Sequence, residues 1–375
     1  MFKAVRGLSS LVVGVAALTP IMYAAGPSTG SETVFVMTNN ANKNEVLAYQ
    51  RLFDGRLVLN ERYATGGRGS GGLTDPLQSQ GSLTLSQDRS ILFAINSGSG
   101  TISSFHLIAG LLLPIDQQPT GGSEPVAVAQ HQGLVYVLNA GGSGSVVAFR
   151  LDSIGHLQEI PNSTVYLTAA HSGGSSITIS PDGQFLVVTE RIANNIDTFR
   201  INADGTLAPI VVNTSVTPGV FSAAFTTEGK LVVSENQPGN NSASTISSYT
   251  VTPDGNITAI TQSLRTLGDG NCWNALTPDG KYVYVSNSAT ATIAGFSIGA
   301  GGALTPIGGT ILGSNPAGSI NLDIAVSGDG KYLYSINSGT GTVSIFRINA
   351  DGSLTSLGDI SGLPKTVGFN GIAAL

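Results

Sequence analysis

Seven apolar, strand-like runs each end in Asn or Glu, and each is followed by a short polar loop and a second strand-like run. The run ends are Asn39, Asn96, Asn139, Glu190, Glu235, Asn287 and Asn337, spaced 43 to 57 residues apart. That period suits a small four-stranded antiparallel sheet repeated around an axis, because one such sheet cannot bury both of its faces alone. The fold class read from this pattern is all-β, a seven-bladed β-propeller occupying residues 26–375.

The seventh unit shows the plan. Asn321 to Val326, a turn at Asp329-Gly330, Tyr332 to Asn337, a loop, Thr342 to Ile348, a turn at Asp351-Gly352 and Ser353 to Leu357 make four strands. Asp-Gly pairs suit tight hairpins because φ > 0 is cheap for Gly and tolerable for Asp. Unit one starts at its second strand, Val34 to Asn39, and an unmatched first strand remains at Gly368 to Leu375. Pairing these two would close the ring and remove the free sheet edges of an open array. Since the Asp-Gly hairpins share one face, the longer loops share the other, and a site is expected there.

With 49 glycines and only 11% charged residues, the composition fits a turn-dense β protein. The formal charge of −6 disfavours nucleic acid and anionic membranes as partners. Residues 1–25 read as a signal peptide: Lys3 and Arg6, an apolar stretch from Leu8 to Leu18, then Ala24 and Ala25. Their removal would leave a charge of −8 on a secreted or periplasmic protein with no transmembrane span. Cys272 is the sole cysteine, so no intrachain disulfide can form. Sequons at Asn162, Asn213, Asn240 and Asn256 matter only in a eukaryotic source.

Aligned on their turns, the first strands carry a column of Ser82, Ser176, Ser222, Trp273 and Asp323. Alternation is expected to turn these into the axial channel and to send Cys272 and Ile324 between blades. Trp273 would offer an aromatic platform to a ring or sugar, with Asn271 as a polar neighbour, or would plug the axis. Histidines 106, 131, 156 and 171 show no metal-ligand spacing, so no metal and no cofactor is expected. The stretch "GGRGSGG" at 66–72 lacks the Lys-Ser/Thr of a phosphate loop and reads as flexible.

The chain resembles the seven-bladed propeller lactonases, the group of bacterial 6-phosphogluconolactonases and fungal 3-carboxy-cis,cis-muconate lactonising enzymes. The resemblance lies in "SPDGQFLVV" at 180–188, "TPDGKYVYVSN" at 277–287, "SGDGKYLYSIN" at 327–337 and "FRINADGTL" at 199–207. It implies lactone hydrolysis, with polar groups at the start of the fourth and fifth first strands and a Glu ending the fifth second strand. Only the last is matched, by Glu235 in "VVSEN"; the others fall on Ser175, Phe221 and Ser222.

Glu235 is therefore the candidate general acid or base, and its alternative role is to cap the following loop as Asn does in five other units. Candidate substrate-binding residues are Trp273, Asn271, Asp323, Glu190, Arg191 and Asn236, with a Glu190–Arg191 surface ion pair as the plainer alternative for those two. The expected function is a monomer that binds or hydrolyses a small cyclic ester or sugar derivative in the axial pocket. A non-catalytic module docking a protein or glycan on its loop face is the competing reading.

Overall fold

The computed structural model describes residues 32–237, 243–365 and 367–375; the signal-peptide reading and the Asn240 sequon lie outside them. Seven four-stranded blades are present, and each innermost strand touches the innermost strands of both neighbouring blades, completing a ring. Those innermost strands are Ile372–Ala374, Leu83–Leu85, Pro125–His131, Gly174–Ile179, Val220–Phe225, Asn271–Leu276 and Asn321–Val326, for blades one to seven. Blade three departs from the plan in having its outer strand split into Leu157–Glu159 and Val165–Tyr166.

Ring closure is as the ends of the sequence imply. Ile372–Ala374 pairs antiparallel with Thr33–Met37, matching Val36 to Ile372 and Val34 to Ala374. Asn39 donates to the Gly368 carbonyl at 3.1 Å, extending the seam beyond the strand. Farther out, Arg51 of blade one grips Asp329 of the blade-seven turn through both terminal guanidinium nitrogens, at 3.3 and 2.9 Å, and lies over the Tyr332 ring. A planar fork held by carboxylate and ring fixes this seam better than an ammonium would.

The Asp-Gly turns act as the sequence suggests. Gly183, Gly280 and Gly330 sit at φ of +71°, +71° and +70°, and the preceding Asp carboxylates accept the Ser180, Thr277 and Ser327 hydroxyls. Six apolar clusters fill the spaces between blades.

Simple alternation fails along the innermost strands, because five of them carry a register shift near the start, as at Asn271/Trp273 and Asn321/Ile324. A bulge re-aims the side chains around it. Ser176, expected to face the channel, instead accepts the backbone N–H of Ala223 in the next blade at 3.3 Å. Ile324 is buried in the cluster of blades five to seven, as expected, together with Cys272 and Trp273.

Candidate functional site

The axis is occupied by the chain itself. Between Ala64 and Leu83 the connection from blade one to blade two contains no strand, and its second half runs across the loop-face end of the channel. Gln80 anchors it to two other blades. Its backbone N–H bonds the Ser175 carbonyl of blade four at 2.9 Å, and its side-chain amide makes two bonds to the Asn274 backbone of blade six, at 2.6 and 3.1 Å. Ser79 donates to Val126 of blade three at 2.9 Å and receives the Trp273 indole N–H at 2.9 Å. This replaces the expected open axial pocket, and Trp273 reaches the axis as an anchor for the plug.

The glycine-rich stretch is packed tightly, contrary to the flexible reading. Gly69 and Gly71 donate to the carbonyls of Asn40 and Asn39, and a Cβ on Gly69 would fall 2.2 Å from the Asn39 carbonyl carbon. A glycine is required there by contact with backbone, which cannot move aside.

Two depressions of the loop face flank the plug. The larger, about 800 Å³, lies over blades two to four and is lined by Arg191, His171, Glu124, Ser123, Gln78 and Ser70 among others. The smaller, about 360 Å³, lies over blades six and seven and includes Asp75, Cys272, Trp273 and Leu322. Asp75 belongs to the plug. Its carboxylate accepts the Gln78 N–H at 3.0 Å and the Asn370 side-chain amide at 3.1 Å, within electrostatic reach of Arg191 and Asp323.

Burial dominates the electrostatics here. It pushes the Asp75 carboxyl up to about 7 against the opposing pull of the Gln78 N–H, Arg191 and Asn370. Burial also lifts Asp323 to about 8, with the Asp75 charge adding to it, although the Ile324 and Ile372 N–H groups bond its oxygens at 3.0 and 3.4 Å. Arg191 is shifted below the usual guanidinium range by burial, and its Nε has no hydrogen-bond partner. Asn236 donates to the Cys272 thiol at 3.6 Å, and burial raises that thiol to about 12, so it stays protonated at neutral pH. Four of the residues singled out from the sequence, Arg191, Asn236, Trp273 and Asp323, thus gather around the plug.

Glu235, Glu190 and Asn271 lie elsewhere. Glu235 is wholly buried within blade five and accepts hydroxyl hydrogen bonds from Ser215, Thr245, Ser247 and Tyr249 at 2.8, 2.7, 2.8 and 3.2 Å. Asn96 and Asn337 make the equivalent bonds to Thr101 and Ser103, and to Thr342 and Ser344. Glu235 lines neither depression. Glu235→Ala is expected to lower the melting temperature sharply, because unpaired buried hydroxyls cost about 1–3 kcal/mol each. A melting temperature within about 2 °C of wild type would contradict that role.

Asn271 donates to the Thr245 carbonyl of the preceding blade at 2.6 Å, as Asn321 does to Thr292, so it ties blade to blade. Glu190 bonds the backbone N–H and hydroxyl of Thr168 and is fully buried; no ion pair joins it to Arg191.

Beside Glu190 sits the buried Asp197, at the position of Ser103 and Ser344 in other blades. Burial first, then the Glu190 carboxyl, push Asp197 up to about 9. The folded state holds this proton more tightly than the unfolded chain, so stability falls as pH rises from about 4 towards 9. Asp197→Asn is expected to raise the melting temperature at pH 8 more than at pH 5. Thermal denaturation at the two pH values checks this, and an equal shift at both would exclude the pair as the source.

Sequence reasoning missed Asp75, Gln80 and Asn370. A usable signal was present: 18 residues without strand character lie between Ala64 and Leu83, and long structureless connections in compact domains are commonly functional.

No curated protein matches this sequence. Among solved structures, the periplasmic gluconolactonase PpgL of Pseudomonas aeruginosa superposes with a TM-score of 0.68 at 19% identity, covering 90% of this chain and 98% of its own. Candidate 6-phosphogluconolactonases from Bacteroides uniformis and Bacteroides fragilis each give 0.65, at 20% and 21% identity, over 91% of this chain and 99% and 98% of theirs. At such identities the likeness establishes the fold alone. The family model described as "Lactonase, 7-bladed beta-propeller" matches residues 70–167, 143–272 and 274–369. With most of the repeat array covered and all seven blades in place, the chain belongs to the seven-bladed β-propeller lactonase family.

Proposed function

We propose that this protein hydrolyses a small cyclic ester on its loop face, with Asp75 as general base and Arg191 as the cation facing the developing oxyanion. The observation that carries the reading is the placement of Asp75. It stands on an anchored plug in the wall of the smaller depression, half-buried, with Arg191 of the larger depression in electrostatic reach and its pKa lifted to about 7. A carboxylate poised near the working pH is suited to proton transfer.

In the proposed reaction Asp75 takes a proton from water as the water oxygen bonds to the ester carbonyl carbon. The carbonyl electron pair moves onto oxygen, opposite Arg191. Collapse breaks the ring C–O bond, Asp75 returns its proton to the leaving oxygen, and an open-chain hydroxy acid is released. The positions where the family resemblance implies polar groups include Ser175 and Phe221. Here those residues support the plug, Ser175 through its carbonyl to Gln80 and Phe221 by edge contact with Trp273 at 5.1 Å.

Export fits this reading, given the signal-like residues 1–25 and the periplasmic location named for PpgL. Among the described residues no helix is long and apolar enough to cross a membrane. The deciding experiment assays γ- and δ-lactones with wild type, Asp75→Asn and Arg191→Met. Turnover that survives in Asp75→Asn would refute the assignment. Turnover in none of the three proteins would favour the second reading, a non-catalytic module, whose specific support is the filled axis.

A further inference from the structure

We propose that the smaller depression is an aliphatic subsite, so that the cyclic ester bound at Asp75 carries a flexible hydrocarbon substituent. This rests on the reading of Asp75 as the hydrolytic base, and it adds the substrate class. The two sides of the plug differ in chemistry. On the Arg191 side the wall carries Glu124 and His171 as well as the guanidinium. On the other side, Asp75 at the border is the sole charged residue of the wall, which is otherwise built of Cys272, Trp273, Ile320, Leu322, small residues and three hydroxyl residues.

Cys272, protonated at neutral pH, counts as an apolar member of that wall. The volume of about 360 Å³ falls within the range of small-molecule pockets and leaves room for a chain of several carbons beside the ring. In the sequence next to this wall, Leu73 precedes the wall residue Thr74 and is 74% exposed, and Leu267, three residues before Gly270, is 51% exposed.

The test uses ligands that cannot be hydrolysed, so that binding is read separately from catalysis. Trp273 is the only tryptophan of the chain and lies in the wall, so its emission reports occupancy. Titration with 2-alkylcyclopentanones from methyl to heptyl is expected to lower Kd about fourfold per added methylene until the pocket is full, from roughly 0.8 kcal/mol per buried methylene. Ala289→Phe, which places a ring in the pocket, is expected to flatten the series. Chain-length-dependent binding without any lactone turnover would uphold the subsite while removing the hydrolase reading. A flat series in wild type would overturn the subsite even if lactones are hydrolysed. Tighter binding of glucono-1,5-lactone than of any alkyl ligand would overturn it too, since a polyol would then be satisfying the hydroxyls of the wall.

Discussion

Deletion of residues 368–375 is expected to abolish soluble expression. The segment supplies the innermost strand of blade one, and Phe369, Ile372 and Leu375 are buried in its seams. Each large apolar side chain contributes roughly 1.5–3 kcal/mol on burial, so these three alone approach the 5–15 kcal/mol that typically separates folded from unfolded states. The loss extends further, because Thr33–Met37 would become a free edge and Asn39 would lose its Gly368 partner. A milder variant tests the same seam in the full chain. Backbone bonds from Met37 to Gly371 and from Leu375 to Thr33, both 3.0 Å, flank the Phe35–Ala373 pair. Antiparallel alternation therefore makes the Ala373 N–H a ladder donor, and Ala373→Pro should cost on the order of 3 kcal/mol. Circular dichroism melts decide the matter. A truncated protein that melts within a few degrees of the intact one would show that closure contributes little.

Asp75→Asn is expected to lower kcat/KM for a hydrolysed lactone by about 10²–10⁴, the usual worth of a positioned general base and about 3–5 kcal/mol of barrier. Asparagine keeps the shape and can still accept from Gln78 and Asn370, so the plug should stay in place. The pH profile distinguishes this from a structural defect. Since Asp75 must be ionised to act, kcat/KM of wild type should fall tenfold per unit as pH drops below about 7, and the variant should lose that limb.

Stability should move in the opposite direction. A carboxyl whose folded pKa is raised from its ordinary value to about 7 destabilises the fold progressively as pH climbs through that window, and the amide removes this cost. Higher melting temperature together with lower activity at pH 7.5 is the expected combination, as when a strained functional group is relieved. Equal loss of activity at every pH, with a lowered melting temperature, would make Asp75 a structural residue of the plug.

Much of this architecture was written in short-range patterns. Asp-Gly pairs place hairpin turns because of local backbone energetics, and runs such as Tyr332–Asn337 alternate with those turns at a period suited to one blade. The unmatched terminal segments reveal closure for the same reason: a missing repeat element is visible by counting. These features depend on neighbours a few residues apart, so the sequence alone determines them.

The site was not legible in that way. Whether Glu235 faces a ligand or its own blade depends on four hydroxyl side chains supplied by two segments, three from the strand Thr245–Val251 and Ser215 from the loop entering the blade. Bulges at the start of the innermost strands break the period-two rule just where channel-facing residues are inferred from it. Asp75, Asp323, Arg191 and Asn370 lie on four separate segments, and their shifted ionisation exists only because ring closure buries them together. Repeats fix each blade through local propensity, whereas an axial constellation depends on which irregular connection enters the channel. That choice is made by long-range packing, where Gln80 meets Ser175 and Asn274 across the axis, and only the tertiary structure decided it.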